Sequence, residues 1–370
     1  MKLMEPDYSN SIWNVSHTIL AHYGHHTDVP LIPELKEELD KNYKHVCLFL
    51  LDGMGTNIIK KHLRHRDFLK KHVIKKITSV YPPTTVAATN TVLTCKTPYE
   101  SGYLGWTQYF KDDDVYAIVF RNEDYYDADK ALKLNYRETY LKHDLIFDYI
   151  KRADDSVQTY KLFPSFEPGG FETFSDQLEE VKKITNQNSK TFSYIYWTNP
   201  DDMEHRFGPK SKEVKEELRS LSAQLDRFSK QLNPDTLVIV IADHGQIEVK
   251  PVEFTEQTYL YDMLSKKPSL EPRTPAFFVK DDKHLEFRMM FSKMFETRYK
   301  LYASHDFIES GLIGYGNKHP MLDQFAGDFV AVAISDSYLK FKKTALYKGH
   351  HAGLTKDEME VPLIIYSNKK

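Results

Sequence analysis

Leu237-Val238-Ile239-Val240-Ile241-Ala242-Asp243-His244-Gly245 decides the fold of this chain. The run is apolar, rich in β-branched residues, and ends abruptly in a carboxylate, an imidazole and a glycine. Strands buried on both faces of a parallel sheet read in this way. In open α/β sheets, ligands bind just beyond the carboxyl ends of the strands, so Asp243 and His244 fall where chemistry is expected. Both side chains are ligands for first-row metals. A simple turn after a strand would use the same residues, and this stretch alone does not choose.

A second strand, His45-Val46-Cys47-Leu48-Phe49-Leu50-Leu51, ends in Asp52-Gly53-Met54-Gly55. The glycines allow a tight turn into a helix that starts near Thr56 and runs through Ile58, Ile59 and Leu63. Asp52 suits a turn as well as a ligand, and Gly53-x-Gly55 lacks the rest of a nucleotide fingerprint. A third strand, Phe192–Trp197, leads into Asn199-Pro200-Asp201-Asp202-Met203-Glu204-His205-Arg206-Phe207-Gly208-Pro209. Asn199 reads as a helix cap and Pro200 as its first position. Asp201 and His205 are four apart and share one face. Asp202 and His205, three apart, do so too, and spacing leaves both pairs open.

Two further stretches carry chemistry. Lys348-Gly349-His350-His351-Ala352-Gly353-Leu354-Thr355 precedes an apolar strand at Val361–Tyr366, and its small residues let backbone approach a site closely. Pro82-Pro83-Thr84-Thr85 follows a strand-like Ile77–Tyr81 and opens a helix of small residues from Val86. A threonine hydroxyl at a helix N-terminus feels the positive end of the dipole, which favours an alkoxide and a phosphate. An ordinary N-cap is its other job there.

Together these stretches, in this order, resemble the alkaline phosphatase superfamily, and most closely its nucleotide pyrophosphatase/phosphodiesterase branch. The resemblance spans residues 45 to 365. Its most specific motif is Pro200-Asp201-x-x-x-His205-x-x-Gly208-Pro209, supported by Ala242-Asp243-His244-Gly245 and His351-x-Gly353-Leu354. It implies an α/β fold: a doubly wound, mostly parallel sheet flanked by helices, with an inserted α+β cap subdomain. It implies two divalent metal ions, zinc or manganese. One is held by Asp201, His205 and His351, the other by Asp52, Asp243, His244 and the Thr85 hydroxyl. Thr85 is the implied nucleophile, by its register ahead of Leu93-Thr94-Cys95, with Thr84 as second choice. His351 is preferred to His350 because the family's histidine directly precedes a small-residue pair.

The resemblance thus implies a metal-dependent phosphodiesterase or nucleotide pyrophosphatase that passes through a phospho-threonine. Two departures concern the substrate. The branch often has a phenylalanine after the nucleophile, where this chain has Val86. It also has an asparagine downstream, which the stretch Tyr99–Trp106 lacks. Trp106 or Tyr103 offers an aromatic face instead. The alternatives are a phosphomutase, a phosphomonoesterase or phosphonate hydrolase of the same superfamily, and a non-catalytic phosphate-ligand binder.

Composition fits a large enzyme. A chain of 370 residues can bury a substantial core in about two domains. We expect residues 1–245 and 346–370 to form the catalytic core and 246–345 an inserted cap. The net charge of -3 gives no basic footprint for a nucleic-acid polymer, so the expected partner is a small phosphoester. No apolar run reaches the ~20 residues needed to cross a bilayer, and the N-terminal residues lack the apolar core of a signal peptide. Two cysteines do not make a disulfide framework, and the expected location is cytoplasmic. Cys95 lacks the proline and arginine spacing of a sulfatase nucleophile.

Overall fold

The computed structural model describes residues 1–255, 258–343 and 345–369. The chain divides into two compact units, each built from non-contiguous segments. One comprises Asp7–Ser79, Asp144–Gln246 and Glu360–Lys370; the other Met1–Pro6, Val80–His143 and Ile247–Met359. Apart from Gln246, the stretch expected as an insertion therefore shares its unit with residues 1–6, 80–143 and 346–359.

The first unit holds a six-stranded sheet. Its strand order is Val73–Thr78, Glu360–Ser367, Thr236–Ile241, His45–Leu51, Thr191–Trp197 and Gln158–Leu162. The last four run parallel, and Glu360–Ser367 lies antiparallel to both its neighbours. His45–Leu51 and Thr236–Ile241 are buried along their whole length, as their unbroken apolar runs require. Register does the rest. Leu51 lies opposite Trp197, and Leu50 opposite Ile241. The residues that follow these three strands, Asp52, Asn199–Asp201 and Asp243–His244, therefore emerge together at the carboxyl ends of the parallel strands.

Helices cover this sheet with apolar faces. The helix Lys212–Ser229 buries Val214, Leu218, Leu221, Leu225 and Phe228, a spacing of alternating fours and threes. Ser211 caps it by accepting from the Val214 amide. The helix Ile146–Ala153 starts where the Asp148 carboxylate accepts from the Leu145 amide and fixes the first turn. The strand expected at Ile77–Tyr81 is instead Val73–Thr78. It alternates half-buried and exposed residues over 73–76 before the buried Ile77 and Thr78, and carries Lys75 and Lys76 at the sheet edge, a charged edge that apolar-run reading overlooks.

The second unit holds a seven-stranded antiparallel sheet, ordered Tyr299–Ala303, Phe329–Ala333, Thr274–Val279, Leu264–Glu271, Thr107–Phe110, Val115–Ile118 and Glu123–Asp124. The helix His284–Phe295 packs Phe287, Phe291 and Phe295 into one core cluster with Phe277 and Phe329. The helix Thr85–Thr94 is buried almost throughout, which its small side chains permit.

Candidate metal centre

In the parallel-sheet unit, three turns are laced together by backbone. The Asp52 amide donates to Trp197 O at 2.9 Å, and the Asp201 amide donates to Asp52 O at 3.1 Å. Gly53, with φ of +72°, donates its amide to Asp243 Oδ1 at 3.0 Å. A Cβ at Gly53 would lie 2.8 Å from Glu204 Oε2 and 2.9 Å from Asp201 Cα, so both its backbone angle and its surroundings demand glycine.

These turns gather the ligand candidates. One ligand atom each from Asp52, Asp243 and His244 lies within 4.8 Å of the others, and all three residues are buried. His244 Nε2 stands 3.4 Å from Asp52 Oδ1 and 3.5 Å from Asp243 Oδ2. Its other ring nitrogen faces Gly245 O at 3.2 Å, and a bond donated there leaves Nε2 as the basic nitrogen. A ligand atom of Asp201 also lies within 4.8 Å of one from His244. The helix Asp201–Phe207 places His205 Nε2 3.4 Å from Asp201 Oδ2, whereas Asp202 pairs with Arg206 at 2.8 Å. The pairing left open by spacing is thus Asp201 with His205. Pro200, not Asn199, occupies the cap, and the Asn199 amide donates to Glu217 instead.

The electrostatics are those of crowded buried acids. Burial pushes the Asp52 carboxyl well above the usual range, and the Asp243 and Asp201 charges add to it. Burial also raises Asp243, with Asp201 adding and His244 and the Gly53 amide opposing. At Asp201 burial works against ionisation, yet His205 and His244 hold its carboxyl down at about 2. Several carboxylates and imidazoles in a low-dielectric pocket are a costly arrangement without a cation. Their mixed oxygen and nitrogen donors fit a divalent metal ion.

Tyr196 donates its hydroxyl to Asp52 Oδ2, an interaction invisible in the sequence. Such outer partners orient a ligand and tune its charge. Tyr196→Phe is expected to weaken divalent-cation affinity by about 10- to 100-fold with little change in fold. Titration calorimetry and circular dichroism on the same sample check this.

The second unit carries Thr84, Thr85, His350 and His351. Thr84 is the N-cap residue and Thr85 the first residue of its helix. The Thr84 hydroxyl is buried and donates to Glu271 Oε1 at 2.6 Å, and the Trp106 amide donates to the same oxygen at 2.7 Å. His351 Nδ1 lies 3.2 Å from Pro83 O, which also accepts from the Ala352 amide at 2.9 Å. A proton on His351 Nδ1 leaves Nε2 as its donor atom toward a metal. His350 instead packs its ring on Tyr347 and Tyr338, and its Nδ1 accepts from the His351 amide at 2.9 Å. Arg273 forms a bidentate pair with Glu358 at 2.7 and 2.8 Å, and Glu358 accepts from the Gly353 amide at 2.7 Å. The segment Glu271–Thr274 therefore braces both the threonine turn and the His351 loop.

Of the two aromatic candidates, Tyr103 is buried and donates its hydroxyl to Leu141 O at 2.8 Å. Trp106 is half-buried under Arg121, whose guanidinium carbon is 5.6 Å from its ring centroid. Phe166, which the sequence reading passed over, is 61% exposed and sits edge-on to Tyr196 at 6.3 Å. An exposed phenylalanine in a loop gives no periodic signal, and only its contact with the Asp52 partner marks it.

Aspartates and histidines gathered at the carboxyl ends of a parallel sheet make a candidate metal centre of an open α/β enzyme. The profile of the type I phosphodiesterase / nucleotide pyrophosphatase family matches residues 46–351. The chain belongs to this family of metal-dependent phosphoric ester hydrolases. Among solved structures it is similar to human ectonucleotide pyrophosphatase/phosphodiesterase 5, at 17% identity and a TM-score of 0.67, covering 88% of this chain and 89% of that one. It is also similar to the murine protein in an inactive form complexed with AMP, at 16% identity and a TM-score of 0.65, covering 87% of each chain. These likenesses share the fold. No curated protein sequence matches the chain significantly.

Proposed function

We propose that the protein is a two-metal phosphodiesterase or nucleotide pyrophosphatase with Thr85 as nucleophile. The observation that carries this reading is the buried Asp52–Asp243–His244 cluster beside the Asp201–His205 pair. Asp52, Asp243 and His244 would hold one cation, with the Thr85 hydroxyl, and Asp201, His205 and His351 the other. Zinc or manganese bound there would neutralise phosphoryl oxygens and lower the cost of the Thr85 alkoxide.

The chain's own groups supply the rest. Thr85 Oγ attacks phosphorus, the bond to the leaving alcohol or phosphate breaks, and phospho-threonine forms. Water then attacks the same phosphorus, releasing phosphate monoester and restoring the Thr85 hydroxyl. The helix N-terminus at Thr85 presents backbone amides to the phosphoryl oxygens. Glu271 keeps the Thr84 hydroxyl engaged, which favours Thr85 as the attacking group. Phe166, exposed beside Tyr196, offers a stacking face for an aromatic group of a substrate. We place the enzyme in the cytoplasm, with Cys47 and Cys95 as buried thiols, and keep residues 246–345 as the substrate-selecting cap. Among the described residues no helix is long and apolar enough to cross a membrane.

The test is metal content combined with hydrolysis of bis-p-nitrophenyl phosphate and p-nitrophenyl phosphate. Two cations per chain and a diester preference that chelation abolishes are the expected result. Monoester preference would move the substrate class and keep the site. Full activity in chelator, with no bound metal, would sink the reading.

A further inference from the structure

Glu204 lies one residue before His205 on the helix Asp201–Phe207 and is fully buried. Neither of its carboxyl oxygens has a hydrogen-bond partner among the described residues. Its Oε2 sits over Gly53, at 2.8 Å from where a Cβ would stand, and the Asp201 Cβ is 2.9 Å from the same point. The carboxylate thus faces the Asp52–Gly53 turn, against the ligand cluster. A buried polar group without a partner carries a desolvation cost that something else must offset.

We infer that Glu204 is the balancing charge of the cation site: a fourth carboxylate whose partner is the field of the bound cations. This rests on the two-metal reading above. Asp52, Asp201 and Asp243 of the same unit supply three carboxyl groups, and Glu204 places a fourth against the turn that carries them. The Glu204 Oε2 faces the Gly53 backbone behind the ligand turn, and the effect inferred for it is exerted through space. Coulomb attraction falls only slowly with distance in a low-dielectric interior, so a carboxylate behind the ligands still holds a cation. A field effect does not distinguish metals by ligand softness. Zinc and manganese affinities are therefore expected to change together.

The experiment compares wild type, Glu204→Gln and Glu204→Asp after chelator stripping, by calorimetric titration with Zn2+ and Mn2+ and by melting of the stripped proteins. Glu204→Gln keeps the shape and removes the charge. It is expected to weaken both cations by about tenfold or more, while the stripped variant melts no lower than stripped wild type. Glu204→Asp keeps the charge and is expected to retain most of the affinity. Unchanged cation affinity in Glu204→Gln would overturn the inference. So would a lower melting temperature of the stripped variant with affinity intact, which marks a structural acid. Failure of wild type to bind either cation would overturn the two-metal reading itself, and this inference with it.

Discussion

Thr85→Ala is expected to lower kcat for a phosphodiester by about 10^4- to 10^6-fold, the scale seen when a covalent nucleophile is removed. That corresponds to roughly 5–8 kcal/mol of lost transition-state stabilisation. Binding of substrate is expected to survive, because the cations and the helix N-terminus would still meet the phosphoryl oxygens. Thr84→Val is the control that gives the result its meaning. Its hydroxyl donates to buried Glu271, so its loss is expected to cost stability, about 1–3 kcal/mol for one hydrogen bond to a buried carboxyl group, and a far smaller fraction of kcat. Single-turnover kinetics with both variants decide the matter. A Thr84→Val enzyme that is dead beside a Thr85→Ala enzyme that is active would reassign the nucleophile to Thr84.

Arg273→Met carries the largest expected effect on stability. Arg273 and Glu358 are both fully buried, and the guanidinium also donates to Ser337 O at 2.6 Å and Ser335 O at 2.9 Å. Burial by itself would lower the pKa of Arg273, but the Glu358 carboxylate more than offsets this and the guanidinium stays charged. Removing one partner of such a pair strands the other, at a cost of about 3–5 kcal/mol. Urea unfolding of the variant measures it, and a loss below about 1 kcal/mol would show the pair to be energetically idle. The double variant Arg273→Met/Glu358→Leu removes the stranded charge and is expected to recover part of that stability. It is not expected to recover activity. Glu358 also accepts from the Gly353 amide and the Thr355 hydroxyl, which shape the loop that carries His351. Gly353 itself leaves no room for a side chain, since a Cβ there would meet the Arg273 guanidinium.

Much of the architecture was legible in the residues. His45–Leu51 and Thr236–Ile241 are unbroken apolar runs, and only strands buried on both faces accept that pattern. The apolar residues of Lys212–Ser229 recur at alternating fours and threes, the mark of a helix with one buried face. Harder to read were segments whose ends depend on one side chain. The Asp148 carboxylate sets the start of Ile146–Ala153, and Lys75 and Lys76 disguise the edge strand Val73–Thr78.

The sequence by itself determined the parallel core, the polar residues that end its strands, the shared face of Asp201 and His205, and the family. The first three depend on residues within a few positions of one another, which local periodicity reports directly, and the family depends on the order of such short motifs along the chain. Only the tertiary structure decided which hydroxyl Glu271 engages, that Tyr196 backs Asp52, and that Arg273 and Glu358 brace the His351 loop. Those partners are 187, 144 and 85 residues apart in the chain. Glu204 is the sharpest case. In the sequence it is one acid among several on a short helix, and acids there ordinarily face water. Folding turns it inward against Gly53, where the absence of a side chain makes room for its carboxylate.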